Sequence, residues 1–139
     1  MPAIAAVMTW FVRHRAGLVF AAALLLAGCG GQSSLGKKAL QQEAKGLKAL
    51  AAEGSVLAGD AARGRSTVVF TRIHSRYLRA SAGKSAKTLA AGKTAEARRL
   101  AAVAVRLHDD LDRLSRSGSN QAEQRTLQRD LATIAAKSS

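Results

Sequence analysis

Three sets of residues in this chain have types and spacings that chemistry uses. The first is a lone thiol: Cys29 is the only cysteine among 139 residues, so no internal disulfide can form. The second is His74 and His108, with Asp109 and Asp110 beside the latter. Two imidazoles and a carboxylate would suffice for a metal site if their helices packed together. No His-x3-His or Glu-x-x-His spacing accompanies them, and histidines without such spacing more often serve as surface or interhelical hydrogen-bonding groups. The third is a pair of tripeptides, Gly83-Lys84-Ser85 and Gly92-Lys93-Thr94, which match the last positions of a phosphate-binding loop. That pattern needs a further glycine five residues earlier, where Leu78 and Lys87 stand, and a preceding strand that the sequence does not offer. No serine has a motif-defined base. No metal, no cofactor and no catalytic residue are therefore expected.

A fourth pattern is electrostatic. Arg72, Arg76 and Arg79, at i, i+4 and i+7, share one helical face, and Lys84 and Lys87 extend it. No acidic residue occurs from Ala61 to Ala95, and the chain as a whole carries a net charge of +13. Two readings stand side by side. One is a solvated helix face, the ordinary fate of a charge run. The other is attraction to an anionic surface, which gains about 1 kcal/mol per Lys or Arg near a membrane and weakens with salt. Tyr77 is read as the one aromatic near the stripe, which argues against a base-stacking platform and against nucleic acid as partner.

The setting of Cys29 is the most specific feature. Arg13, His14 and Arg15 form a basic cluster, residues 16–26 are uncharged and almost wholly apolar, and the small pair Ala27-Gly28 follows. That is the order of a secretory leader: basic region, apolar region, small-residue cleavage site. The apolar run falls short of the roughly 20 residues a spanning helix needs. Residues 2–12 are unusually apolar for the stretch before a basic cluster, and a start at Met8 would leave a short basic region instead.

Leu26-Ala27-Gly28-Cys29 resembles the lipobox of bacterial lipoprotein precursors, in which an aliphatic residue and two small residues precede a cysteine. The resemblance implies that Leu26, Ala27 and Gly28 are recognised by a lipoprotein signal peptidase, that cleavage falls after Gly28, and that Cys29 carries the lipid. It also implies an extracytoplasmic location at the cell membrane or envelope. Gly30 stands where an aspartate would favour inner-membrane retention. Loss of Arg13 and Arg15 with the leader would lower the charge of the remainder to +11.

These sites need elements to hold them. Residues 1–28 read as the leader, and residues 29–36, small and polar with Gly30, Gly31, Gln32, Ser33, Ser34 and Gly36, as a flexible tether. Residues 37–139 read as one basic helical domain. Leu, Ile, Val and Phe make up 21 of the 111 residues from Cys29 onward, near the lower limit for a folded chain, so the core must be thin and rich in alanine. Leu40, Leu47, Leu50 and Leu57 share a face in a first helix over 37–62, which Gly46, Gly54 and Gly59 should weaken or bend. A break at 62–67 leaves Ser66 or Thr67 to cap a second helix, on which Ile73 and Tyr77 fall four apart. Thr94 caps a third, where Leu100, Val103, Leu107, Leu111 and Leu114 form a narrow stripe. Asn120 and Glu123 have capping-box spacing before a fourth with Leu127, Leu131 and Ile134. The expected fold is all-α, a small antiparallel bundle of three to four helices, with a long helical hairpin plus a packing helix as the alternative.

The function expected from these observations is a lipid-anchored envelope protein with a non-catalytic body that binds or spaces at an anionic membrane or polyanion. A second reading is a helical interaction subunit whose Leu100–Leu114 seam docks another envelope protein. A third is an enzyme with a cryptic site at His74 and His108.

Overall fold

The computed structural model describes residues 35–137. They form four helices: α1 over Lys37–Ala62, α2 over Val68–Ala90, α3 over Ala95–Arg116 and α4 over Gln121–Lys137. The helices make one compact unit. Its two main pairings are α2 with α3 and α1 with α4. Both run antiparallel: Arg79 meets Asp112 and Gly83 approaches His108, while Ser55 and Gly59 both reach Gln128 and Gly54 reaches Leu131. The all-α bundle expected from the sequence is the observed fold. Among the described residues, no helix is long and apolar enough to cross a membrane.

Side-chain caps set three of the four helix starts, and the N-cap of α1, Gly36, has none. Thr67 Oγ1 accepts from the Phe70 amide and Thr94 Oγ1 from the Ala97 amide. Asn120 Oδ1 accepts from the Glu123 amide. Each satisfies one of the amides a helix leaves unpaired, worth about 1 kcal/mol. Gly64 and Gly118 take the left-handed conformation (φ 70° and 55°) that reverses the chain after α1 and after α3. The break at 63–67 is complete, so α1 and α2 do not merge.

The core is leucine packed on alanine. Leu47, Leu78, Leu89, Leu107, Leu111, Leu127 and Leu131 are fully enclosed, with Ala51, Ala58, Ala82, Ala97 and Ala104 filling the spaces between them. Against expectation, α1 runs unbroken through its glycines. Gly54 and Gly59 are buried where α4 crosses. A Cβ on Gly54 would stand 2.9 Å from Leu111 Cδ2 and 3.3 Å from Leu131 Cδ1, and one on Gly59 would stand 2.7 Å from Gln128 Nε2. Their missing side chains let α4 and α3 approach closely, and packing holds the helix where propensity alone would loosen it.

Candidate functional site

The arrangement of α2 decides which face of the bundle can act on a partner. Its inward face is made of Thr71, Ser75, Leu78, Ala82 and Leu89, mostly small or polar side chains. Ser75 Oγ donates to the Thr71 carbonyl at 2.6 Å, and the Thr71 and Ser66 hydroxyls hydrogen-bond at 2.9 Å, so this polar strip is satisfied within the fold. The large side chains of the helix therefore point outward. Val69, Phe70, Ile73 and Tyr77 are 64%, 55%, 64% and 67% exposed. The Phe70 and His74 rings stack with centroids 5.4 Å apart, and the His74 and Tyr77 rings follow at 6.3 Å.

The expected cationic stripe lies on and beside this outer face, with one change. Arg72, Arg76, Lys84 and Lys87 are exposed and make no ion pair among the described residues. Arg79 is turned to the α2–α3 boundary, where it pairs with Asp112, which also holds Arg116 at 2.6 Å. The hydrogen bond from Arg79, with Arg116 nearby, keeps the Asp112 carboxyl below the usual range. Two further cations of the acid-free run, Arg65 and Arg63, are engaged by Asp60 and hold its carboxyl low in the same way. The free positive charge of the run is thus concentrated on the outer face of α2.

The histidines do not meet in one site. His74 Nε2 lies 2.7 Å from Glu53 Oε1 on α1, and His108 Nδ1 lies 3.2 Å from the Arg79 carbonyl on α2. Each ties two helices together, the interhelical role that their spacing favoured. No group of three His, Cys, Asp or Glu side chains among the described residues is arranged to hold a metal ion. Asp110, adjacent in sequence, is buried at the boundary with α4. Desolvation, then the charge of Asp130, raises its carboxyl above the ordinary range despite Arg106 and Arg113. Its Oδ2 has no hydrogen-bond partner among the described residues.

Gly83-Lys84-Ser85 lies inside α2, and Gly92-Lys93-Thr94 forms the turn and cap before α3, so neither makes a phosphate loop. The Leu100–Leu114 seam is enclosed: Leu100, Leu107, Leu111 and Leu114 are 6% exposed or less. These four leucines belong to the bundle's own core, while Val103, the fifth residue of the seam, is only partly buried. A cleft of about 750 Å³ opens between the first halves of α1 and α3, lined by Ala44, Leu100 and Val103 with Lys45, Arg99 and Glu96. Lys48 and Lys137 also line it, and its lining includes no Ser, Cys or His.

What sequence reasoning missed is the aromatic content of the stripe. Phe70 and His74 join Tyr77, giving three rings where one was counted, so the scarcity of aromatics no longer argues against nucleic acid. The spacing 70, 74, 77 was present in the sequence as a signal. Leu26, Ala27, Gly28 and Cys29 lie outside the described residues. No protein-family model matches this chain, and no curated protein or solved structure matches it either.

Proposed function

We propose that the chain is a lipid-anchored envelope protein, attached through Cys29, whose non-catalytic helical body binds an anionic surface through the outer face of α2. The observation that carries this reading is the concentration of Arg72, Arg76, Lys84 and Lys87, all exposed and unpaired, on one helix in a stretch without an acidic residue. Such a face raises the local concentration of anionic partners, and its attraction falls steeply with ionic strength. The lipobox-like residues before Cys29 support the anchor. One acyl chain binds a membrane only marginally, whereas several chains or a basic patch make attachment stable, so the lipid on Cys29 and the charge of α2 would cooperate.

Two experiments test the halves separately. Cys29→Ser should abolish metabolic lipid labelling and release the chain from the membrane fraction; an unchanged, labelled, membrane-bound product refutes the anchor. Replacing Arg72, Arg76, Lys84 and Lys87 with Gln in the full chain should weaken binding to vesicles containing phosphatidylglycerol and flatten its salt dependence. Equal binding by variant and wild type at low salt reduces the stripe to solvated surface.

A further inference from the structure

The cations explain attraction to a surface but not the apolar side chains among them. Of the seven large hydrophobic side chains exposed among the described residues, five lie within Val68–Tyr77, so the exposure is a patch and not a scatter. Contiguous exposed apolar surface marks an interaction site. Resting on the surface-binding reading above, we propose that α2 lies in the plane of an anionic bilayer and inserts Val69, Phe70, Ile73 and Tyr77 at the boundary between headgroups and acyl chains. Arg72 and Arg76 then reach the lipid phosphates beside the inserted side chains. Lys84 and Lys87 hold the other end of the helix to the surface.

The occupant follows from the composition of the face. A second copy of this chain, docked through the same patch by a two-fold contact, would bring together two faces of α2 that each carry Arg72 and Arg76 and no acidic residue of that helix, and like charges oppose it. A single-stranded nucleic acid would use the cations and the rings but would leave Val69 and Ile73 without a base to stack on. A bilayer uses every component: aliphatic side chains enter hydrocarbon, aromatic rings favour the interface, and guanidinium groups pair with phosphate. From Val69 to Lys87 the helix spans about 27 Å at 1.5 Å per residue, so apolar and basic halves lie along one line that a surface can meet at once. His74, between the rings, is held to Glu53 and stays at the edge of the patch.

The test reads insertion at the patch itself, whatever else brings the chain to the membrane. Trp10 is the single tryptophan, so the full chain with Trp10→Phe and Tyr77→Trp carries one indole, at an exposed position that tolerates it. The indole at position 77 should shift to shorter emission wavelength with phosphatidylglycerol-containing vesicles and be quenched by brominated acyl chains. Phe70→Ser with Ile73→Ser should lower vesicle partitioning by roughly tenfold or more while helical circular dichroism stays unchanged. Charge-dependent binding with an unquenched indole overturns insertion and leaves the surface-charge reading standing. Quenching that no longer depends on anionic lipid or on Arg72, Arg76, Lys84 and Lys87 overturns that underlying reading instead. A blue shift in buffer that grows with protein concentration, or one produced by a single-stranded oligonucleotide but not by vesicles, overturns the bilayer as occupant.

Discussion

The two glycines Gly46 and Gly54 sit in the same helix and should respond oppositely to the same substitution. Gly46 is exposed, and a Cβ there meets nothing within 4 Å. Gly46→Ala therefore gains the full difference in helix propensity, about 1 kcal/mol. Gly54→Ala gains the same increment but drives its Cβ to 2.9 Å from Leu111 Cδ2 and 3.3 Å from Leu131 Cδ1. Both leucines are fully enclosed, so their methyl groups have nowhere to retreat without moving other core side chains. Overpacking of this kind costs about 1–3 kcal/mol, which offsets or exceeds the propensity gain. The two variants should differ by about 1–3 kcal/mol on the same bounds. Urea unfolding followed by helical circular dichroism measures this as a rise in midpoint for Gly46→Ala and no rise, or a fall, for Gly54→Ala. A double-mutant cycle sharpens it. Leu111→Ala alone should cost about 2–5 kcal/mol, but it removes the clashing Cδ2, so Gly54→Ala should become less harmful in that background. If Gly54→Ala stabilises as much as Gly46→Ala, or the cycle is additive, the close approach of α3 and α4 to α1 is wrong.

Two further outcomes follow from the ionisable groups. Burial makes the folded state hold the Asp110 proton more tightly than the unfolded chain does, so its contribution to stability declines as pH rises from the ordinary carboxylate range through the raised folded value. Asp110→Asn should raise the urea midpoint at neutral pH, and the increment should vanish in acid, where Asp110 is protonated in both states. Asp60 and Asp112 work the other way, losing stability as pH falls through their lowered values, but they are common to both proteins and cancel in the comparison. Arg79→Gln should lower stability by up to about 1 kcal/mol through loss of the Asp112 pair and weaken vesicle binding less than Arg76→Gln does. Equal losses of binding would place Arg79 back on the free stripe.

Helix positions and caps were legible because they rest on local rules: Thr67, Thr94 and Asn120 cap where a hydroxyl or amide oxygen precedes an apolar run. The α3 stripe was legible because Leu100, Leu107, Leu111 and Leu114 leave no rival face to bury. On α2 the period was legible and the direction of the face was not. Ile73 and Tyr77 share a face, but spacing alone does not say whether that face turns inward. The true inward face, Thr71, Ser75, Leu78, Ala82 and Leu89, carries too little hydrophobicity to announce itself. Gly54 and Gly59 were misread for a related reason. Their helix cost is local, while the space they leave for Leu131, Leu111 and Gln128 is visible only once α3 and α4 are in place.

The outward turn of α2 is hard to account for by folding. A chain with so little large apolar content gains about 1.5–3 kcal/mol for each Phe or Ile it fully buries. This one leaves Phe70, Ile73 and Tyr77 more than half exposed while facing Thr71 and Ser75 inward. Rotating α2 about its axis would bring the rings into the core, but the present core is built to the width of Ala82 and Ser75. Rings there would need a wider space between α2 and α3 than Gly83, with His108 Nδ1 only 3.3 Å from where its Cβ would be, allows. Small inward residues and large outward ones are thus two sides of one arrangement. It holds α3 close to α2 and leaves the apolar surface of α2 to a medium outside the fold. A mutant that makes the inward side of α2 more apolar, such as Ser75→Ala with Gly83→Ala, therefore has no route to extra stability through α2 rotation. Its exposed rings should stay exposed, measurable as unchanged tyrosine accessibility to a water-soluble quencher.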